Sequence, residues 1–232
     1  MTATVVRVPD FLPSTSGLRF ANAWPHVPDL AVRFAGRNIL SIGDAANGLC
    51  GGMTFVAADR HIAGTPIWPD VSPPDQGSVH FRTVVRRQID SLAFGRLPLR
   101  FYSLMAFRPE RPTVWGRFLR RSPRATSTIR AEWPRIRTEL DAGRPVAIGL
   151  VRVASNSPLQ LTRNHQVLAY GYTLDGSRLS IAIYDPNHPL DDTVELRVEL
   201  DEGHRGAALG QSSGESLVAF FRAPYRPKPP IE

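Results

Sequence analysis

The chain has 232 residues, 42% of them hydrophobic and 21% charged, a composition that buries a core without disulfides or metals. No apolar run approaches the ~18 residues of a membrane span, and a single cysteine excludes both an internal disulfide and a four-cysteine zinc site. Of the 28 basic residues behind the net charge of +7, all but Lys228 are arginine, a skew that reads as codon bias and not as a nucleic-acid signature.

Residues 1–40 carry Pro9, Pro13, Pro25 and Pro28 and read as an irregular lead-in. The first residues lack the charged start and apolar stretch of a signal peptide, which points to a cytoplasmic protein or one exported by a non-classical route. Residues 48–63 predict a helix. Leu49, Met53, Val56 and Ala57 recur at helical spacing, and Gly64 and Pro66 close it. A second helix is expected near 80–95, through Val84, Ile89 and Leu92. Pro98, Pro109, Pro112 and Pro123 break residues 97–124, so no long element is expected there.

An arginine cluster runs from Arg108 through Arg111, Arg117, Arg120, Arg121, Arg124, Arg130 and Arg135 to Arg137. It reads first as a solvated face, with a patch for an anionic partner as the alternative. No RNA-binding motif, zinc finger or basic zipper accompanies it, so nucleic acid is the weaker partner class. A third helix is expected over 125–142, through Ile129, Trp133, Ile136 and Leu140, weakened or kinked by Pro134.

The pattern then changes. Five strands are expected, over 145–153, 165–173, 179–185, 193–200 and 217–222, followed by an extended Pro-rich tail over 224–232. Helices first and strands afterwards make an α+β fold with a C-terminal antiparallel sheet, taken as one domain over 1–232.

Cys50 stands at the start of the first helix. Unpaired N–H groups and the helix dipole favour a thiolate there. Taken alone, a free cysteine is better read as a small buried residue. Gly51 and Gly52 are poor helix formers, a cost understandable if a substrate backbone passes close to Cys50.

Partners for the thiol lie far downstream. Asp175-Gly176 is a strong turn signal between the segments that begin at His165 and end at Asp185. A strict two-residue turn there pairs His165 with Pro186 and puts Asp185 on the other face. An odd loop, or a bulge, brings His165 to Asp185 or Asn187. Either could fix the imidazole tautomer, with Asp185 preferred because it ends the strand itself. Gly171 reads as a bulge or close-packing site. His26, His61, His80, His188 and His204 show no metal-ligand spacing, and neither a metal nor a cofactor is expected.

The segments Gly48-Leu49-Cys50-Gly51-Gly52-Met53, Asn164-His165-Gln166-Val167-Leu168-Ala169-Tyr170-Gly171-Tyr172 and Tyr184-Asp185-Pro186-Asn187 together resemble the papain-like cysteine peptidase superfamily. The flavour is that of the peptidases that trim bacteriocin leaders. The resemblance implies a central Cys-bearing helix packed on an antiparallel sheet and a peptide or protein substrate. It also implies a Gln six residues before the Cys, donating to the oxyanion. Asp44 stands at that position, and an ionised carboxylate repels an oxyanion. Asn47 and the Cys50 amide are the alternative donors. The expected function is a thiol hydrolase with Cys50 as nucleophile, His165 as base and Asp185 orienting it. A protein deamidase, an acyltransferase or toxin-like effector, and a catalytically silent binding module are the alternatives. Oligomeric state is left open.

Overall fold

The structure, a computed structural model, describes residues 2–24, 31–34, 37–41, 48–106, 124–200 and 209–231. Among these, five α-helices pack on an antiparallel sheet: α1 (Pro13–Ser16), α2 (Cys50–Ile62), α3 (Val79–Ser91), α4 (Arg96–Ala106) and α5 (Arg124–Asp141). The strands are β1 (Thr4–Arg7), β2 (Ala31–Phe34), β3 (Arg37–Ser41), β4 (Val146–Val151), β5 (His165–Asp175), β6 (Arg178–Tyr184), β7 (Glu195–Glu199), β8 (Leu209–Gln211) and β9 (Ala219–Arg222). The main sheet runs β8-β7-β6-β5-β4-β9, and β2 and β3 form a separate hairpin. No helix of the described residues is long and apolar enough to cross a membrane.

The sequence patterns explain these positions. Every residue of β4 is buried, as expected of a continuous apolar run covered on both faces. In β7 only Leu196 and Val198 are buried, the alternation of a strand with one wet face. All residues of α2 from Cys50 to Arg60 are buried, so this helix runs through the centre and meets neighbours all round.

Its two glycines make that possible. A Cβ on Gly51 would lie 2.2 Å from Gln166 Nε2, and one on Gly52 would lie 2.2 Å from the Val84 carbonyl oxygen. The glycines therefore let α2 press against β5 on one side and α3 on the other. This corrects the expectation that they clear a path for substrate.

Three further expectations need correction. The lead-in is not wholly irregular, because β1 joins the main sheet and pairs Val5 with Thr173 and Arg7 with Gly171. The break expected over 97–124 is not where α4 lies. Pro98 is the third residue of that helix, where amides have no acceptor within the helix, so a proline without an N–H loses no helix bond. The second expected helix stops at Ser91, and a 3-10 turn over Ala93–Gly95 redirects the chain into α4. Residues 107–123, with Arg108, Arg111, Arg117, Arg120 and Arg121, lie outside the described residues. Pro134 does sit inside α5.

Candidate active site

The hairpin of β5 and β6 decides which side chains meet. Its turn is the two-residue kind, with Asp175 opposite Arg178 and Gly176 at φ 57°. Continued unbroken, that register would put His165 and Asp185 on opposite faces. A bulge between Ala169 and Gly171 shifts it by one residue, so that Leu168 pairs with Tyr184. Side chains alternate faces along a strand. The shift therefore turns His165 and Asp185 to the same face. Gly171 accommodates the close approach of β1, since a Cβ there would lie 2.5 Å from the Val6 carbonyl oxygen.

His165 Nε2 and Asp185 Oδ1 are 2.6 Å apart, the length of a charge-assisted hydrogen bond. Both are buried, Asp185 completely. Cys50 lies close enough to His165 for the two groups to couple electrostatically. Gln166 clamps the two elements together. Its carbonyl accepts Thr54 Oγ1 at 3.3 Å, and its side chain covers Gly51.

The proton affinities follow from this arrangement. Burial pushes the Cys50 thiol up, but the nearby His165 charge and the Gln166 amide pull it below its ordinary value. Burial opposes the charged form of His165, yet Asp185 and Cys50 raise it to about 9. Burial likewise opposes an ionised Asp185, and His165, the Asn187 amide and Arg152 hold it well below the usual carboxylate range. The arrangement favours a thiolate–imidazolium pair.

Asn187 takes a different part from Asp185. Its backbone amide donates to Asp185 Oδ1 at 2.8 Å, and its side-chain oxygen accepts Asn22 Nδ2 at 3.4 Å. Asp44 and Asn47 lie outside the described residues. A cleft of ≈ 970 Å³ opens over His165, with Asn22, Gly48, Arg152, Asn164, Asn187 and Glu215 among its walls.

Three site residues gave no sequence signal. Asn22 lies in the Pro-rich lead-in, yet its Oδ1 accepts the Leu49 amide at 2.7 Å, one residue before Cys50. Gln211 lies on β8, a three-residue strand too short for periodicity, and its Nε2 donates to Asp185 Oδ2 at 2.7 Å. Arg152 follows β4, with Nη2 3.7 Å from Asp185 Oδ2.

The fold also gathers Asp185, His188 and Glu215, whose ligand-type atoms lie within 4.8 Å of one another. His188 Nε2 and Glu215 Oε1 pair at 2.8 Å, and Arg152 Nη2 stands 3.9 Å from the same Glu215 oxygen. A guanidinium thus occupies the charge-balancing position that a cation would take.

No protein-family model matches the chain, no curated protein matches it, and no solved structure matches it.

Proposed function

We propose that the protein is a thiol hydrolase of papain-like arrangement acting on a peptide or amide bond. The observation that carries this reading is the buried hydrogen bond between His165 and Asp185, with the Cys50 thiol electrostatically coupled to His165. The Cys50 thiolate attacks the carbonyl carbon and forms a tetrahedral adduct. The Cys50 amide at the start of α2 is the first candidate donor to the oxyanion. Asn22 Nδ2 is a second candidate donor, since it lines the cleft beside Gly48. His165 gives its proton to the leaving nitrogen, the C–N bond breaks, and an acyl-enzyme remains. Water, deprotonated by His165, then attacks the thioester, releases the acid and restores Cys50.

Iodoacetamide alkylation of Cys50 across pH tests the reading. The rate should rise below the ordinary thiol range and change again near pH 9, where His165 loses its proton. In His165→Ala the thiol should return toward ~8.5, lowering the rate at pH 7 about tenfold or more. A thiol that titrates normally in the wild type, or that does not react, defeats the reading.

A further inference from the structure

We propose that Arg152 and Gln211 are positioning residues that hold the buried Asp185 carboxylate charged and turned toward His165. The proposal rests on the thiol-hydrolase reading and concerns how that site is kept competent.

An ionised carboxylate offers about four acceptor sites. Asp185 Oδ1 uses its capacity on His165 Nε2 at 2.6 Å and the Asn187 amide at 2.8 Å. Those two bonds leave Oδ2 bare in a fully buried place. A bare buried oxygen favours the neutral acid, because burial penalises charge. It also leaves the carboxylate free to rotate and exchange its oxygens. Gln211 Nε2 removes both faults with a 2.7 Å bond to Oδ2, and Arg152 adds a positive charge 3.7 Å away.

Both groups are themselves held. Gln211 is buried, its Nε2 also donates to Ser213 Oγ at 2.8 Å, and its Oε1 accepts Arg152 Nη2 at 3.4 Å. The Arg152 backbone amide donates to Asn164 Oδ1 at 3.2 Å, one residue before His165. The Arg152 guanidinium also faces Glu215, which pairs with His188. Among the described residues the charged or titratable groups around Asp185 are thus His165, Arg152, Glu215, His188 and Tyr184, with Cys50 beyond His165. Arg152 is shared between the buried side of this set and the cleft wall.

The sign of the effect follows from Coulomb's law. Removing a positive charge raises the proton affinity of every neighbour. In Arg152→Met, both the acid and the alkaline limb of the Cys50 alkylation profile should move to higher pH, by about half a unit or more. Arg152→Lys, which keeps the charge, should restore the wild-type limbs. Gln211→Leu reads orientation instead. The proton on His165 Nε2 should resonate far downfield in the proton NMR spectrum of the wild type. In Gln211→Leu it should broaden or move upfield, because Asp185 is no longer fixed.

A tuned wild-type thiol whose limbs stay fixed in Arg152→Met, together with an unmoved His165 resonance in folded Gln211→Leu, overturns this proposal alone. An ordinary wild-type thiol overturns the thiol reading and this proposal with it. If Gln211→Leu does not fold, the Arg152→Met and Arg152→Lys pair decides by the charge effect alone.

Discussion

Asp185 beside the N-terminal end of α2 and Asp59 near its C-terminal end are both buried carboxylates, set in unlike surroundings. Asp185 meets His165, a group that gains and loses a proton near pH 9, and one wall of its cluster opens to a cleft. Among the described residues, the partners of Asp59 are groups that keep their protons. Arg87 approaches it with Nε at 2.7 Å and Nη2 at 3.0 Å, Tyr225 donates at 2.7 Å and the Lys228 amide at 3.0 Å. Those last two bonds fasten the C-terminal tail across the helix. One helix therefore carries a titratable cluster at one end and a fixed anchor at the other. The difference lies in the partners, since the carboxylates and their burial are alike.

Substituting each carboxylate by its amide separates the two roles most sharply. Asp185→Asn removes the negative charge that supports the His165 cation. The alkaline limb of Cys50 alkylation should fall from about 9 toward the ordinary histidine value near ~6.5, and the rate at pH 8 should drop about tenfold or more. Asp59→Asn leaves the buried Arg87 with only the more exposed Asp90 as counter-charge, at 2.8 Å. Unfolding by urea should show a loss of about 2–3 kcal/mol, below the cost of a wholly unpaired buried charge, with the alkylation profile of the surviving folded protein unmoved. A shift of that profile in Asp59→Asn would merge the two clusters and break the comparison.

Gly51→Ala probes the contact between α2 and β5. The new Cβ meets Gln166 Nε2 and Ser91 Oγ within 2.4 Å, so the helix or the Gln166 side chain must shift. The expected loss is about 1–3 kcal/mol, accompanied by a thiol nearer its ordinary value as Cys50 moves from His165. An unchanged profile would show that Gln166 alone yields. Tyr225→Phe removes one donor to Asp59 and should cost about 1 kcal/mol in urea unfolding. Stability should also carry the mark of His165. A raised histidine value stabilises the fold fully below ~6.5, and that contribution fades as pH rises through about 9.

The strands over 146–151 and 178–184 were legible because their apolar runs are short, β-branched and bounded by turn residues. The helix at Cys50–Ile62 was legible from its spacing and its Gly64 stop. The helix Arg96–Ala106 was hidden by Pro98, because a proline in a first turn looks the same in sequence as one that breaks a helix. β1 and β8 were hidden for another reason. Strands of four and three residues carry almost no periodicity, and their pairing partners lie far away in the chain.

The sequence alone determined the chemical types available and their order: a single thiol at a helix start, a histidine at the head of a strand, and Asp-Pro-Asn at the end of the next. These are local matters of capping, alternation and turn residues. Only the tertiary structure decided that His165 and Asp185 share a face, because the parity of the hairpin turns on one bulged residue at position 170. Only the tertiary structure gave Asp185 its second pair of neighbours, Gln211 and Arg152, drawn from a strand 26 residues away and from the chain just past β4. Such contacts follow from sheet order and burial, which no short window of sequence encodes.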